Sequence, residues 1–227
     1  MLLKFYQKID EAITYLFSSV SNEEKFLKKL FGKKKIIYID IGANEGGFLD
    51  FINKILNLEK IIVIEPIGKL LEKIKTKYSN NKNRFYNLAL SNKKSLRKFY
   101  EYSISSQSSL YTQNDMFKSL KSLKKISKIK TSSFDEIVNE KKKIDLCKID
   151  VQGEEVNVLK GMEKTLKKKN IKLIKIELSF MQRYKRSRTN FIEIVNLLNK
   201  NGYNLITISK IKYKDEKILL MDAYFLS

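Results

Sequence analysis

A strand–turn–helix pattern in the first quarter of the chain constrains its fold more than any other feature. The apolar run at 36–39 ends at Asp40, and a glycine-rich turn at 42–47 then opens a helical pattern. A second apolar run, at 61–64, ends at Glu65. Two short strands that each end in a carboxylate, with a glycine turn between them, are typical of a nucleotide-type site at the edge of a parallel sheet.

Apolar strand patterns and amphipathic helical patterns alternate through most of the chain. The short, lysine-rich connection at 210–216 predicts a hairpin, so the last strand is expected to be antiparallel. Strands that alternate with helices of this length predict an α/β fold, a mainly parallel sheet with helices on both faces. The predicted strands are 36–41, 60–65, 84–89, 144–149, 171–178, 203–209 and 217–226, and the predicted helices are 46–58, 67–78, 133–140, 154–168 and 190–200.

Length and pattern together predict one domain. The 227 residues are enough for a single core of ordinary size. We expect an N-terminal helical segment at 1–34, in which 23–31 forms a separate short helix. One α/β domain is then expected at 35–227, with no internal repeat and no second domain.

Residues 95–133 interrupt the alternation and are predicted to form an insertion near the site. Within it, 96–102 and 128–132 have strand patterns, and the hydroxyl-rich loop at 103–109 is placed to cover a ligand. The lysines of this region are spaced as on the solvated face of a helix, at positions 118, 121, 124, 125 and 128.

The chain contains no histidine, which excludes whole classes of chemistry. Ser-His-Asp triads, Cys-His pairs and histidine-ligated zinc are all impossible. Any general base must be Asp, Glu, Lys, Tyr or the single cysteine, Cys147. One cysteine forms no intrachain disulfide. Because no metal-ligand spacing is present either, we predict no metal site.

The apolar segments are too short for a membrane-spanning helix. No apolar run reaches the length that a bilayer requires, and the N-terminal residues lack the uninterrupted apolar stretch of a signal peptide. We therefore expect a cytoplasmic protein, with peripheral contact to the inner face of the membrane left open.

The formal net charge is +21, but the residues that carry it are not typical of a nucleic-acid-binding protein. Only five of the 46 basic residues are arginines, whereas nucleic-acid sites favour the planar guanidinium. The lysines occur in every segment, together with abundant isoleucine and asparagine. We interpret most of this charge as a genome-wide compositional bias. An anionic partner is the alternative: a nucleic acid, a membrane surface or a phosphorylated substrate.

Candidate binding residues follow the first predicted strand. The turn that contains Gly42, Ala43, Asn44 and Gly46 lets a ligand approach the backbone closely. Its N–H groups, at a helix N-terminus, can bind a carboxylate or a phosphate. Asp40 either accepts a hydrogen bond from a ligand or supports the turn.

Two further candidate segments follow the second and third predicted strands. Glu65 can accept hydrogen bonds from both hydroxyls of a ribose, although Glu65 and Pro66 would also suit an ordinary helix entry. Ala89 and Leu90 are placed to border an adenine ring, as any loop after a strand would be.

Three carboxylates are candidates for acid–base chemistry. Asp150 follows the strand at 144–149, at the sheet edge where ligands of open α/β folds bind, and its alternative role is to cap the next helix. Glu177 ends the strand at 171–178 and is suited to act as a base, to bind a substrate hydroxyl or to pair with a lysine. Glu154 lies in the first turn of a predicted helix, where carboxylates are favoured in any protein.

Taken in order along the chain, these motifs resemble those of FkbM-type methyltransferases. The resemblance covers residues 35–180 and implies a Rossmann-like class I methyltransferase fold, with a mainly parallel seven-stranded sheet and an antiparallel last strand. The matching motifs are residues 40–47, Glu65-Pro66, Ala89-Leu90-Ser91, Thr131-Ser132-Ser133-Phe134-Asp135, Lys148-Ile149-Asp150-Val151-Gln152-Gly153, Glu155, Val158-Leu159-Lys160-Gly161 and Ile176-Glu177.

The resemblance implies S-adenosylmethionine as the cofactor and methyl transfer to a hydroxyl oxygen. The acceptor would be a small molecule or a glycan, most often a sugar of a surface glycan or glycolipid, and its charge could be negative. The turn at 40–47 would contact the amino-acid portion of the cofactor, Glu65 would hold its ribose, and Asp150 would lie beside the methyl donor. Because the hydroxyl must lose its proton, the candidate bases are Asp150, then Glu177, then Glu154.

Two other hypotheses remain open at this point. An RNA methyltransferase of the same fold is favoured by the positive charge and disfavoured by the scarcity of arginine. A non-catalytic domain that binds a cofactor or a membrane is disfavoured by the presence of Asp40, Glu65 and Asp150 together. A nicotinamide dehydrogenase is least favoured, because the glycine spacing is not that of a dinucleotide site.

Overall fold

A seven-stranded sheet is the centre of the computed structural model, which describes residues 23–117, 122–187 and 190–227. The strands of the described residues are β1 Lys35–Ile41, β2 Asn57–Ile64, β3 Arg84–Tyr86, β4 Ala89–Leu90, β5 Ser95–Tyr102, β6 Leu123–Ser132, β7 Ile144–Ile149, β8 Ile171–Ser179, β9 Asn204–Lys214 and β10 Lys217–Leu226. The α-helices are α1 Glu23–Phe31, α2 Gly47–Ile55, α3 Gly68–Tyr78, α4 Phe134–Ile137, α5 Glu155–Lys160, α6 Glu163–Lys167 and α7 Phe191–Lys200.

The order of the main sheet is β3-β2-β1-β7-β8-β10-β9. Neighbouring strands from β3 to β8 are parallel, whereas β10 is antiparallel to both β8 and β9. The predicted parallel sheet with an antiparallel last strand is therefore confirmed. Since all these parallel strands end at one edge, the polar residues that follow them are brought together.

Each face of the main sheet is covered by helices. On one face, α1, α2 and α3 pack against alternate strand residues such as Ile36 and Tyr38. On the other, α4 to α7 pack against Ile37, Ile39 and Ile41. Because both faces are buried, β1 is almost continuously apolar after its exposed first residue, Lys35, and the exception is Asp40.

The region at 95–133 contributes a second, smaller sheet. Its order is β4-β6-β5, in which β5 and β6 are antiparallel and β4 pairs with the end of β6. Ala89 therefore belongs to the small sheet rather than to the end of the strand predicted at 84–89. The strand predicted at 128–132 begins earlier, at Leu123, so lysines 124, 125 and 128 lie on a strand and not on the predicted helix face. Lys118 and Lys121 lie outside the described residues.

The helix predicted at 154–168 is two helices, α5 and α6. The break comes at Gly161, which packs so closely that an added Cβ would lie 2.2 Å from the carbonyl oxygen of Ser91. Asp135 then caps the second helix, since its carboxylate accepts hydrogen bonds from the backbone N–H groups of Lys164 and Thr165, at 2.8 and 3.1 Å. This cap comes from a residue distant in sequence, so the local helical pattern did not reveal it.

Two other predicted helices are shorter than expected. The helix predicted at 46–58 ends at Ile55, because residues from Asn57 onward are extended and pair with β1. The helix predicted at 133–140 ends at Ile137, after a capping box in which Ser133 and Glu136 exchange hydrogen bonds.

Helix α1 is present where a short helix at 23–31 was predicted, and it buries Leu27 and Phe31 against the sheet. The helix predicted before it, and the chain to residue 22, lie outside the described residues. None of the described helices combines the length and the apolarity that a membrane span requires. The division into an N-terminal segment at 1–34 and one domain at 35–227 stays a prediction.

An ion pair joins the two central strands. Asp40 on β1 is the register partner of Lys148 on β7, and both side chains are buried. Lys148 Nζ donates to Asp40 Oδ1 at 3.2 Å and to the carbonyl oxygen of Gly42 at 3.0 Å. Burial alone would lower the pKa of Lys148, but the charges of Asp40 and Asp150 raise it above its usual range. Lys148 therefore stays charged.

The turn after β1 requires glycine at its first position. Gly42 has φ +75°, and an added Cβ would lie 1.9 Å from the carbonyl oxygen of Asp150. The same two segments are joined by a hydrogen bond from the Asp150 N–H to the Ile41 carbonyl oxygen, at 3.0 Å. Gly42 therefore lets the ends of β1 and β7 approach each other.

Substituting Gly42→Ala should destabilise the protein by about 3 kcal/mol or more, because it combines left-handed strain with a backbone clash. The matched control is Gly47→Ala, since a Cβ at Gly47 meets nothing within 4 Å. The control should leave the free energy of unfolding unchanged or raise it by about 0.5 kcal/mol. Urea unfolding of both variants measures the difference, and similar stabilities for the two would contradict this account.

Substituting Lys148→Met should cost about 3–5 kcal/mol of unfolding free energy, because it leaves the Asp40 carboxylate buried without its counterion. Adding Asp40→Asn to the same protein removes the unpaired charge and should recover about half of that loss or more. Chemical denaturation of the two single variants and the double variant tests the coupling. Strictly additive losses would show that the two side chains do not stabilise each other.

Candidate active site

A cavity of about 260 Å³ opens at the carboxyl edge of the parallel strands. It extends from the end of β2, past the β1 turn and β7, to β8 and β10, and the small sheet and its serine loop form part of its wall. Most of the residues predicted to form the site line this one cavity, namely Gly42, Ala43, Asn44, Glu65, Pro66, Ala89, Leu90, Asp150, Glu154 and Glu177.

Asp40 and Gly46 do not line the cavity. Asp40 is fully buried behind the turn, where Lys148 holds its Oδ1. Of its two predicted roles, this position favours support of the turn over direct contact with a ligand. Gly46 precedes helix α2 with φ +82° and gives the turn its shape.

Glu65 lies at the β2 end of the cavity. Its Oε2 accepts a hydrogen bond from the Asn44 N–H and its Oε1 accepts one from the Ile67 N–H, both at 2.8 Å. Burial raises the pKa of Glu65 to about 7, although these two N–H groups and Lys148 oppose the shift. Each carboxylate oxygen keeps a lone pair that can accept a further hydrogen bond. The geometry therefore suits a ligand with two neighbouring hydroxyls.

Asn44 offers a second polar group at this end. Its backbone is left-handed, at φ 52°, and its side-chain Oδ1 is buried without a hydrogen-bond partner among the described residues. An unpaired buried polar atom is costly, and one that lines a cavity is placed to bind a ligand. The amino group of an amino-acid moiety is a donor of the required kind.

Glu154 lies beside the predicted adenine-bordering segment, on the side of Ser91. Its Oε1 accepts hydrogen bonds from Ser91 Oγ at 2.6 Å, from Arg97 at 2.5 Å and from Asn157 at 3.1 Å. Three donors, one of them a guanidinium, hold this oxygen in place. Glu154 thus ties β4, β5 and α5 together beneath the cavity.

Asp150 and Glu177 lie next to each other at the ends of β7 and β8. The side-chain Nε2 of Gln152 donates to both, to Asp150 Oδ1 at 2.5 Å and to Glu177 Oε1 at 3.3 Å. Arg183 donates to Glu177 Oε1 at 2.7 Å and to Gln152 Oε1 at 2.8 Å. The Tyr184 hydroxyl also donates to Gln152 Oε1, at 2.7 Å, which fixes the orientation of the amide.

Burial raises the pKa of Glu177, and the negative charge of Asp150 raises it further, while Arg183 opposes both. A carboxyl group with a raised pKa is suited to take a proton near neutral pH. Asp150 has a side chain that is 32% exposed, and its Oδ2 lies 3.7 Å from Lys148 Nζ. The two carboxylates therefore differ in solvation and in counterion.

The β8–β10 end of the cavity carries a network that the sequence motifs did not indicate. The buried Lys175 ammonium donates to Asp222 and, at 2.9 Å, to Glu23 of helix α1. Burial alone would raise the pKa of Glu23, but the charge of Lys175 holds it below its usual range. Lys175 and Lys210 also contact the Phe48 ring, at 4.8 and 5.4 Å from its centroid.

Lys148, Lys175 and Asp222 are site residues that the sequence reasoning missed. Each lies in an apolar strand at a position where its neighbours are buried. A charged residue within an apolar strand indicates that a partner of opposite charge lies nearby in the fold, because an unpaired buried charge is rarely tolerated. Their partners could not be read from the sequence: Glu23 is 152 positions from Lys175.

The small sheet and the predicted serine loop form one wall of the cavity. Phe99 of β5 and Leu110 provide apolar surface, and Ser105, Ser106 and Ser108 line the polar part. Ser109 attaches the loop to the site, since its Oγ donates to the Gln152 carbonyl oxygen at 2.6 Å. Among residues 23–117, 122–187 and 190–227, no group of three or more carboxylates or thiols is arranged to hold a metal ion.

Comparison with known proteins identifies the family of this chain. The Methyltransferase FkbM domain family matches residues 40–205, which is most of the chain and includes the lining residues of the cavity from Ile41 to Glu177 but not Lys210 and Asp222. No curated protein matches the chain.

Two solved structures illustrate the fold. The FkbM methyltransferase from Methylobacillus flagellatus KT is 16% identical with a TM-score of 0.54, and the match covers 84% of this chain and 43% of that chain. A putative S-adenosylmethionine-dependent methyltransferase from Listeria monocytogenes is 10% identical with a TM-score of 0.52, and the match covers 92% and 97%. This chain therefore spans less than half the length of the Methylobacillus protein and nearly all of the Listeria one.

The two ends of the cavity carry different polar groups. The Asn44 and Glu65 end offers groups for an amino-acid moiety and a ribose, and the β7–β8 end offers paired carboxylates. The chain belongs to the FkbM methyltransferase family, it has the class I methyltransferase fold, and its cofactor is S-adenosylmethionine.

Proposed function

We propose that this protein is an O-methyltransferase whose acceptor is a hydroxyl group of a neutral sugar, in a glycan or glycolipid. The observation that carries the proposal is the polar end of the cavity, which is lined by three carboxylates, three ammonium groups and one aromatic ring. These residues are Asp150, Glu177, Asp222, Lys148, Lys175 and Lys210, with Phe48.

At the other end, the chain's own groups fit the cofactor. The Asn44 Oδ1 atom is without a partner and can accept from an amino group, and Glu65 can accept from two ribose hydroxyls. Ala89 and Leu90 line the cavity and would border the adenine ring. When bound, S-adenosylmethionine supplies an electrophilic methyl group on a sulfonium. The carboxylate of Asp150, beside the β1 turn, would stabilise that positive charge.

Sugar recognition follows from the residue types at the polar end. Carboxylates accept hydrogen bonds and ammonium groups donate them. Together they can bind sugar hydroxyls, each of which both donates and accepts a hydrogen bond. The Phe48 ring gives the apolar face of a sugar a surface to pack against. Since the three acidic and three basic lining residues balance in charge, this end favours a neutral acceptor over an anionic one.

We assign proton removal to Glu177, because it is buried at the carboxyl edge and its raised pKa suits it to take a proton. Asp150 raises that pKa by its charge, and Gln152 holds both carboxylates in place. Glu154 is assigned a positioning role rather than a catalytic one, since Arg97, Ser91 and Asn157 already use its Oε1. Holding an acceptor oxygen in line with the methyl group supplies the remaining acceleration, on the order of 7 kcal/mol in favourable cases.

The proposal is tested by incubating the protein with S-adenosylmethionine and separate acceptors: neutral oligosaccharides, sugar phosphates and total RNA. We expect release of S-adenosylhomocysteine and a methylated product, located by mass spectrometry, with the neutral oligosaccharides. Methylated RNA without methylated sugar would replace the proposal by the RNA hypothesis. Tight cofactor binding with no product from any acceptor would favour the non-catalytic hypothesis.

The affinity for S-adenosylmethionine should rise with pH. The ionised form of Glu65 accepts the ribose hydroxyls, and its pKa of about 7 means that protons compete with the cofactor below neutrality. Affinity should increase about tenfold between about pH 6 and about pH 8. Calorimetric titration measures this, and Glu65→Gln should bind more weakly with no such dependence. An unchanged pH dependence in Glu65→Gln would exclude Glu65 as its source.

Methyl transfer should require an ionised Glu177, so kcat should increase with pH and then level. Glu177→Gln should lower kcat by about 10²–10⁴-fold. Asp150→Asn removes the charge that raises the pKa of Glu177, so kcat should rise at lower pH than in the wild type. Glu163→Gln, at an exposed pair with Lys167, is the matched control and should not change the profile. If kcat rises over the same pH range in Asp150→Asn as in the wild type, the assignment of Glu177 as the base is contradicted.

A further inference from the structure

The strands β5 and β6 have two faces of opposite character. On the inner face, Phe99 lines the cavity and Arg97 pairs with Glu154. The outer face carries Leu96 and Lys98 of β5, opposite Lys130 and Lys128 of β6, and it also carries Ile126. Leu96 is 61% exposed and Ile126 is 53% exposed. We define the basic outer face as Leu96, Lys98, Lys124, Ile126, Lys128 and Lys130.

The basic outer face has no acidic partner among the described residues. Lys98, Lys124, Lys128 and Lys130 form no ion pair there, although most acidic side chains elsewhere on the described surface are paired with lysine or arginine. The one acidic residue of these two strands, Glu101, belongs to the inner face, where its register partner is Lys125 and its carboxylate accepts a hydrogen bond from Ser127 Oγ.

The cross-strand arrangement works against the stability of the sheet. Lys98 and Lys128 are direct register partners, and like charges opposite each other are destabilising. The exposed aliphatic residues add a second cost, since a strand face in water favours polar side chains. Of the ten large hydrophobic side chains exposed among the described residues, five lie within 96–126: Leu96, Ile104, Met116, Leu123 and Ile126.

A surface that combines unpaired lysines with exposed aliphatic side chains matches the chemistry of an anionic membrane. The ammonium groups are complementary to lipid phosphates, and leucine and isoleucine can enter the boundary between headgroups and acyl chains. Nucleic acid fits less well, because its sites favour arginine, and this face carries no arginine. Its aromatic side chain, Tyr100 opposite Ile126, is partly buried. We propose that the basic outer face docks the protein on a membrane surface rich in anionic phospholipid.

Binding is tested by flotation of the whole chain with vesicles of phosphatidylcholine alone or mixed with phosphatidylglycerol. The wild type should float with the mixed vesicles and not with neutral ones, and salt should weaken the binding. The variant Lys98→Gln/Lys128→Gln/Lys130→Gln should lower partitioning about 100-fold. Its matched control is Lys69→Gln/Lys73→Gln/Lys82→Gln, which removes the same charge from exposed lysines elsewhere and should change partitioning by less than about threefold.

The variant Lys128→Glu distinguishes an effect on membrane docking from an effect on the stability of the fold. It places opposite charges across the strands and should raise the melting temperature slightly while it lowers vesicle binding. Cofactor affinity should be unchanged in every variant, because these side chains point away from the cavity.

Three results would overturn the proposal. Equal loss of binding in the two triple variants would assign the effect to net charge. Absence of wild-type flotation with the mixed vesicles would exclude the surface outright. Retention of labelled RNA through these three lysines, without vesicle binding, would assign the face to nucleic acid.

Discussion

The buried pair of Asp40 and Lys148 is the interaction on which the rest of the site depends. It joins the two central strands in register, and the same ammonium binds the Gly42 carbonyl oxygen and lies near Asp150. The turn after β1 and the Asp150 carboxylate at the end of β7 are therefore held to each other through a single side chain. A shift of one residue between β1 and β7 would leave a charge alone in the core, so the pair also specifies the strand register.

The sequence was sufficient for the sheet and for most of the cavity because both follow from short-range patterns. Apolar runs that end at Asp40 and Glu65, with glycine at 42 and 46, define strand ends, and parallel strands bring their ends to one edge. This is why Asn44, Glu65, Asp150 and Glu177 were found without knowledge of their contacts.

What the sequence did not reveal depends on residues distant in the chain. The start of α6 is capped by Asp135, and Lys175 at the β8 end donates to Glu23 of the first described helix. The small sheet was recognised only in part, since the strength of the β5 and β6 pairing is not visible in either strand alone. The spacing of the lysines along β6 was consistent with a helix, and only the pairing of β6 with β5 shows that this segment is a strand.

The absence of histidine has a thermal consequence. Among the described residues of the cavity, the groups that titrate near neutrality are carboxyl groups, Glu65 and Glu177, whose pKa values burial has raised. Ionisation of a carboxyl group absorbs almost no heat, whereas loss of a proton from an imidazolium absorbs a substantial amount. A site built on carboxyl groups therefore keeps nearly the same protonation state when the temperature changes, and its pH optimum is largely independent of temperature.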